Sequence, residues 1–260
     1  MAAHGAELAD MTADMVAAGS YDKAVIGVGA TEYHGNHLPY GSDTLIAHAL
    51  AMRVAAEMPG MLVLPPIAYG MSWHHLSFPW MLSARPETLA NLVYDVGASL
   101  HAHGIAKLLV VTAHDGNAAP VEMAARRLHH DLGMHVAAML GWQGRARHAL
   151  AQEGLAVDLD HAGQSETAAI AAIAPDLVHT ERATDEPNEP FDLPIRVFGS
   201  FGQLAPAGFG GAATRGTAED GERILNAAVA HVLPFLRVLD ANGWQPGVWM
   251  REWEAMSASR

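Results

Sequence analysis

The chain contains no cysteine, so it offers neither disulfides nor thiolate metal sites. It is also short of positive charge. Lys and Arg number 15 against 28 Asp and Glu, a net charge of −13. Nucleic acids and anionic membranes bind clustered Lys and Arg, so neither is an expected partner. No run of like charge stands out. Long hydrophobic runs are missing too. The apolar stretches at 24–29 and 108–113 fall far short of the roughly 20 residues that cross a bilayer. Met1 to Asp10 carries two acids and no basic, apolar leader pattern. These absences point to a cytoplasmic protein. No internal repeat is visible. What is there is ample apolar material. With 50% apolar and 17% charged residues in 260, the chain can bury a sizeable core within one domain, 1–260.

Strand and helix patterns alternate along it. Lys23 to Gly29 is a short Val- and Ile-rich run bounded by glycine, the mark of a buried strand. Helical spacing follows from Thr44 to Met58, with Ser42 or Asp43 as N-cap and Pro59-Gly60 as the stop. Met61 to Tyr69 reads as a second strand, and Pro65-Pro66 places it near an edge. A helix is expected from Pro86 to about His103, a strand from Lys107 to Ala113, and a helix from Asn117 to near Gly133. Met134 to Leu140 is another strand. Ser165 to Ala174 and Thr217 to Leu239 read as helices. Such alternation predicts an α/β fold, a mostly parallel sheet with helices on both faces. Thr184 to Pro194 holds three prolines and four acids and reads as a surface excursion.

Three segments carry residue types suited to chemistry. In Thr31 to Asp43, Glu32 and His34 lie two apart just after the first strand. An extended backbone points both to one face. A loop with Gly35, Pro39 and Gly41 can fold Asp43 back beside them. Carboxylates and imidazoles are ligands that zinc, manganese or iron accepts. In the second segment, His114 ends a strand ahead of Asp115-Gly116-Asn117, which also suits any strand–turn–helix junction. The third, Asp160 to Thr167, sets an acid beside His161 and puts Glu166 in the first turn of the next helix. Glu166 could equally serve only the helix dipole. Glu32, His34 and His114 all follow carboxyl ends of expected strands, where ligands of open α/β sheets collect. Ser72, His74 and His75, in the loop after the second strand, and Asp115 are candidate substrate contacts. His101, His103, His129 and His130 sit at the C-terminal ends of expected helices, where imidazole suits the dipole.

Taken in order, these segments resemble the creatininase (creatinine amidohydrolase) family. The resemblance rests on G-x-T-E-x-H-G-x-H-L-P-x-x-x-D at Gly29 to Asp43, on H-x-G-N at His114 to Asn117, and on H-A-G-x-x-E-T at His161 to Thr167. Gly210 to Arg223 resembles the family's closing stretch, so the likeness covers about 23–240. It implies two divalent ions per chain, zinc, manganese or iron. Glu32 and His114 would hold one, His34 the other, and Asp43 would bridge. His161 would transfer a proton during C–N cleavage, with Asp160 as its candidate orienter. It also implies homo-oligomers, hexamers among them. Creatininase itself has a glutamate where this chain has Gly116, so creatinine is not the expected substrate. Of Asp115, Gln164 and Glu166, the last is expected to replace that acid. The expected function is metal-dependent hydrolysis of an amide C–N bond in a small substrate, open-chain or cyclic. The alternatives are formamide deformylation, short-peptide cleavage, ring opening of a cyclic ketone, or metal-dependent binding without turnover.

Overall fold

The computed structural model describes residues 7–151, 157–188 and 198–245. Four parallel strands form the central sheet in the order β2-β1-β3-β4. They are β1 (Lys23–Val28), β2 (Met61–Ile67), β3 (Lys107–Thr112) and β4 (His135–Met139). The proline-bearing strand β2 is indeed an edge. Register runs evenly from Ala24↔Leu108 to Val28↔Thr112, so β1 and β3 end side by side.

Helices cover both faces. After α1 (Ala13–Ala18) come α2 (Ser42–Glu57), α3 (Pro86–Ala102), α4 (Ala118–Leu132), α5 (Trp142–Ala151) and α6 (Gln164–Ile173). Two-residue strands β5 (Asp185–Glu186) and β6 (Gly211–Ala212) pair antiparallel, with α7 (Phe201–Leu204) between them in sequence. The last helix is α8 (Ala218–Ala241).

Alternation along β1 divides the core. Val25 packs into one apolar cluster with α2, α5, α6 and α8. Ala24 and Ile26 pack into another with α3 and α4. This is the period-two geometry of a strand buried on both sides. By length and composition α8 could cross a membrane. Its stripe of Ile224, Leu225, Ala228, Val229, Leu233 and Leu236 instead faces the core beside α5 and α6.

Several expectations need correction. The cap of α2 is Gly41, not Ser42 or Asp43. Both of those lie inside the first turn, and Ser42 Oγ donates to Pro39 O at 2.7 Å. Helix α5 was not anticipated. The start of the 184–194 excursion is strand β5, where the Asp185 carboxylate accepts from Thr214 N and Oγ. Positions 189–194 lie outside the described residues.

Candidate metal centre

The loops that leave β1, β2 and β3 meet at the carboxyl edge of the sheet. One buried side chain ties them together. Asn117 Nδ2 donates to Gly29 O at 2.9 Å, and its Oδ1 accepts from Met71 N at 2.9 Å. Asn117 stands at the cap position of α4 but spends its side chain on this clamp.

Glu32, His34, Asp43, His114 and Glu166 converge there, and all five are buried. Asp43 stands between two imidazoles. Its Oδ1 lies 3.4 Å from His34 Nε2, and its Oδ2 lies 3.6 Å from His114 Nδ1. Glu166 Oε2 is 3.4 Å from His34 Nε2, and Glu32 Oε2 is 3.4 Å from His114 Nε2. Glu32 Oε2, His34 Nε2 and Asp43 Oδ2 are buried with no hydrogen-bond partner among the described residues. Buried polar atoms are seldom left so. Orphaned carboxylate oxygens and an imidazole nitrogen facing one another fit a site for divalent cations.

The electrostatics follow from this crowding. Burial alone would raise the Glu32 carboxyl, yet the imidazoles of His114, His75 and His161 hold it well below its usual value. Burial would lower His34, but Asp43 and Glu166 outweigh that and hold it well above. For His161 the balance tips the other way. Burial, reinforced by His34, pushes it well below the ordinary imidazole value. Its Nε2 donates to Tyr33 O at 3.0 Å, which leaves Nδ1 facing Glu166 Oε2 at 3.9 Å.

The remaining candidates divide. Asp160 does not orient His161. Its carboxylate accepts from Ser165 Oγ and Ser165 N and from Gln143 Nε2, and so fastens the start of α6. Adjacent side chains diverge, and burial next to Glu166 pushes Asp160 up to about 7. Ser72 Oγ lies 3.2 Å from His114 Nε2, so it supports that imidazole instead of facing a ligand. His75 is buried, and its Nδ1 lies 2.6 Å from Glu32 Oε1. His74 stacks 5.7 Å from the His114 ring, and burial beside His75 lowers it to about 4. Asp115 is exposed on the turn after His114 and is not among the converging side chains.

Two residues escaped the sequence reading. Gln143 Nε2 reaches Asp160, Ser165 and, at 3.4 Å, Glu166 Oε1. It lies on the unanticipated helix α5, and nothing in its neighbourhood marks it. His37 sits in the first motif and is fully buried. Its Nε2 lies 2.9 Å from Ala162 O and 3.2 Å from Thr167 Oγ.

Gly116 has a steric reason. A Cβ there would stand 2.3 Å from Met71 O and 2.4 Å from His114 Nε2. No acid fits at that position without moving the His114 ring. Gly116→Ala is expected to destabilise the metal-free protein by about 1–3 kcal/mol, the usual overpacking cost. It should weaken ion binding as well. Thermal melts and metal titration check this, and a variant matching the parent in both would refute it.

Comparison with known proteins shows the family of the chain. The model of the creatininase family, creatinine amidohydrolase, matches residues 9–236. The mycofactocin precursor peptide peptidase of Mycobacterium ulcerans (strain Agy99) is 34% identical over 215 residues, 79% of this chain and 80% of that protein. The creatinine amidohydrolase of Pseudomonas putida is 32% identical over 230 residues, 82% and 88% of the two chains. The solved structure named "Creatininase Mn" superposes with a TM-score of 0.75 at 29% identity, covering 90% of this chain and 98% of its own. The chain therefore belongs to the creatininase family, whose members are hydrolases that act on C–N bonds.

Proposed function

We propose that the protein is a metal-dependent amidohydrolase that cleaves an amide C–N bond in a small substrate. The observation that carries this reading is the Asp43 carboxylate set between His34 and His114, one oxygen to each. Glu32 and His114 would hold one ion, His34 and Glu166 the other, and Asp43 would be shared. Imidazole and carboxylate donors suit zinc or manganese. Bound there, two such ions supply Lewis acidity toward a carbonyl and lower the pKa of water.

The chain's own part is proton handling and positioning. His161, kept neutral by burial, accepts a proton at Nδ1 and returns it to the departing nitrogen. Tyr33 O holds the ring in orientation through Nε2. His75 steadies Glu32 from the other side.

The test reconstitutes the purified protein with zinc or manganese, counts the ions, and assays a panel of small amides with and without chelator. Two ions per chain and chelator-sensitive amide hydrolysis are expected, with creatinine a poor substrate because Gly116 supplies no acid. Absence of bound metal after reconstitution would sink the mechanism. A second measurement separates chemistry from ligation. His161→Ala should keep its ions and its melting temperature yet lose roughly 10²–10⁴-fold in kcat. Loss of an ion in that variant would make His161 a ligand.

A further inference from the structure

Glu32 and His34 follow β1, Ser72 and His75 follow β2, and His114 follows β3. The fourth strand is followed by Gln143, the second residue of α5. Trp142 before it is buried in the apolar cluster shared with α2, α6 and α8, which anchors the start of α5. Gln143 turns instead to the segment that carries His161 and Glu166. Its Nε2 lies 2.9 Å from Asp160 O, 2.9 Å from Ser165 Oγ, 3.1 Å from Asp160 Oδ1 and 3.4 Å from Glu166 Oε1. A backbone carbonyl only accepts, so the amide nitrogen and not the amide oxygen faces this group. Ser165 Oγ gives its own hydrogen to Asp160 Oδ1 at 2.5 Å and so receives one from Gln143.

The two oxygens of Glu166 have separate duties. Oε2 accepts from Ala162 N at 2.7 Å and faces His34 Nε2 at 3.4 Å. Oε1 has Gln143 as its one hydrogen-bond partner among the described residues. The last torsion of a glutamate is broad and roughly twofold, so it does not by itself fix which oxygen points where. Partners on each oxygen do. Glu166 is buried, so water does not readily replace the amide, and without Gln143 the oxygen Oε1 would be left unpaired.

Resting on the reading above of Glu166 as an acid of the second ion, we propose that Gln143 is a positioning residue for that ion. It holds Glu166 by Oε1 so that Oε2 is presented beside His34. It also fastens Ser165, the residue before Glu166, through the same amide. Groups that orient a ligating side chain in this way typically carry about 10–100-fold of metal affinity. Gln143 thereby decides whether the centre fills with one ion or with two when metal is scarce. Its influence on the first ion is small, because Glu32 and His114 are held by other loops.

Zinc titration against a competing chelator gives the two stepwise affinities and needs no turnover. Gln143→Met keeps the length of the side chain and removes its donors. The second ion should weaken by about 10–100-fold and the first by less than about threefold. Gln143→Ala should show the same loss, because the amide and not the bulk is what counts. Adding Gln143→Met to Glu166→Gln should change nothing further, so the double variant should bind its one remaining ion as Glu166→Gln alone does. A Gln143→Met protein with the parent's affinity for the second ion would overturn the proposal. So would an equal loss for both ions, which would mean that Gln143 only fastens α6. A further loss in the double variant would also overturn it, since Gln143 would then act through another ligand. The two readings fail separately. Amide hydrolysis with unchanged ion affinities in Gln143→Met would remove the positioning role and keep the hydrolase. Selective loss of the second ion in a protein that cleaves no amide would keep the role and remove the hydrolase.

Discussion

Asp43→Asn is expected to yield a folded protein that holds neither ion firmly and works no better than the metal-free parent. Among the described residues, Asp43 is the one carboxylate within reach of both His34 and His114. An amide keeps its shape but offers one oxygen, and that oxygen is neutral. As a first-turn acid of α2 Asp43 is worth only a few tenths to about 1 kcal/mol. Without metal it also holds the buried imidazoles of His34 and His114 above their ordinary values, and the amide cannot. The metal-free variant should therefore fold but melt below the metal-free parent near neutral pH. Adding metal should separate them further. A ligand at 100 times its Kd stabilises its binder by about 2.7 kcal/mol, so the parent should shift upward and the variant should not. Elemental analysis that finds two ions per chain in Asp43→Asn would end the bridging assignment.

The second large effect is selective. Glu166→Gln should take the stoichiometry from two ions toward one, while Asp115→Asn leaves both in place. Glu166 Oε2 lies 3.4 Å from His34 Nε2 and accepts from Ala162 N at 2.7 Å. Glutamine can still accept that backbone hydrogen, so the start of α6 should hold. What it loses is the charge beside His34. Asp115 is exposed and points to no such duty. If Glu166 merely served the dipole of α6, its replacement would lower the melting temperature slightly and leave two ions bound. That result would place the second ion's acid elsewhere.

Much of this architecture could be read from residue patterns because the long elements repeat their signals. Strand β1 is all apolar from Ala24 to Val28 apart from Gly27, and α3 begins at Pro86 and stops before Gly104. Helix α5 gave weaker cues, with Gly144 in its first turn and polar residues scattered through it. The converging residues of the centre were visible for a related reason. Glu32, His34 and His114 each follow the end of a strong strand, and strand ends locate themselves. The supporting contacts were not visible. Asp160 was read with its sequence neighbour His161, yet it bonds Ser165 and Gln143. His75 was read as facing a ligand, yet it lies against Glu32. Ser72 likewise turns to His114. Such partnerships are made by loops crossing in space, and no spacing along the chain records them.

The buried His37 has a consequence for how the centre fills. Through Ala162 O and Thr167 Oγ it joins the loop that carries Glu32 and His34 to the segment that carries His161 and Glu166. His161 and Gly210 add a pair of backbone hydrogen bonds on the far side. The mould is thus kept by the protein rather than by its contents. A stripped sample should recover its ions in one concentration-dependent phase, with no slow rearrangement to wait for.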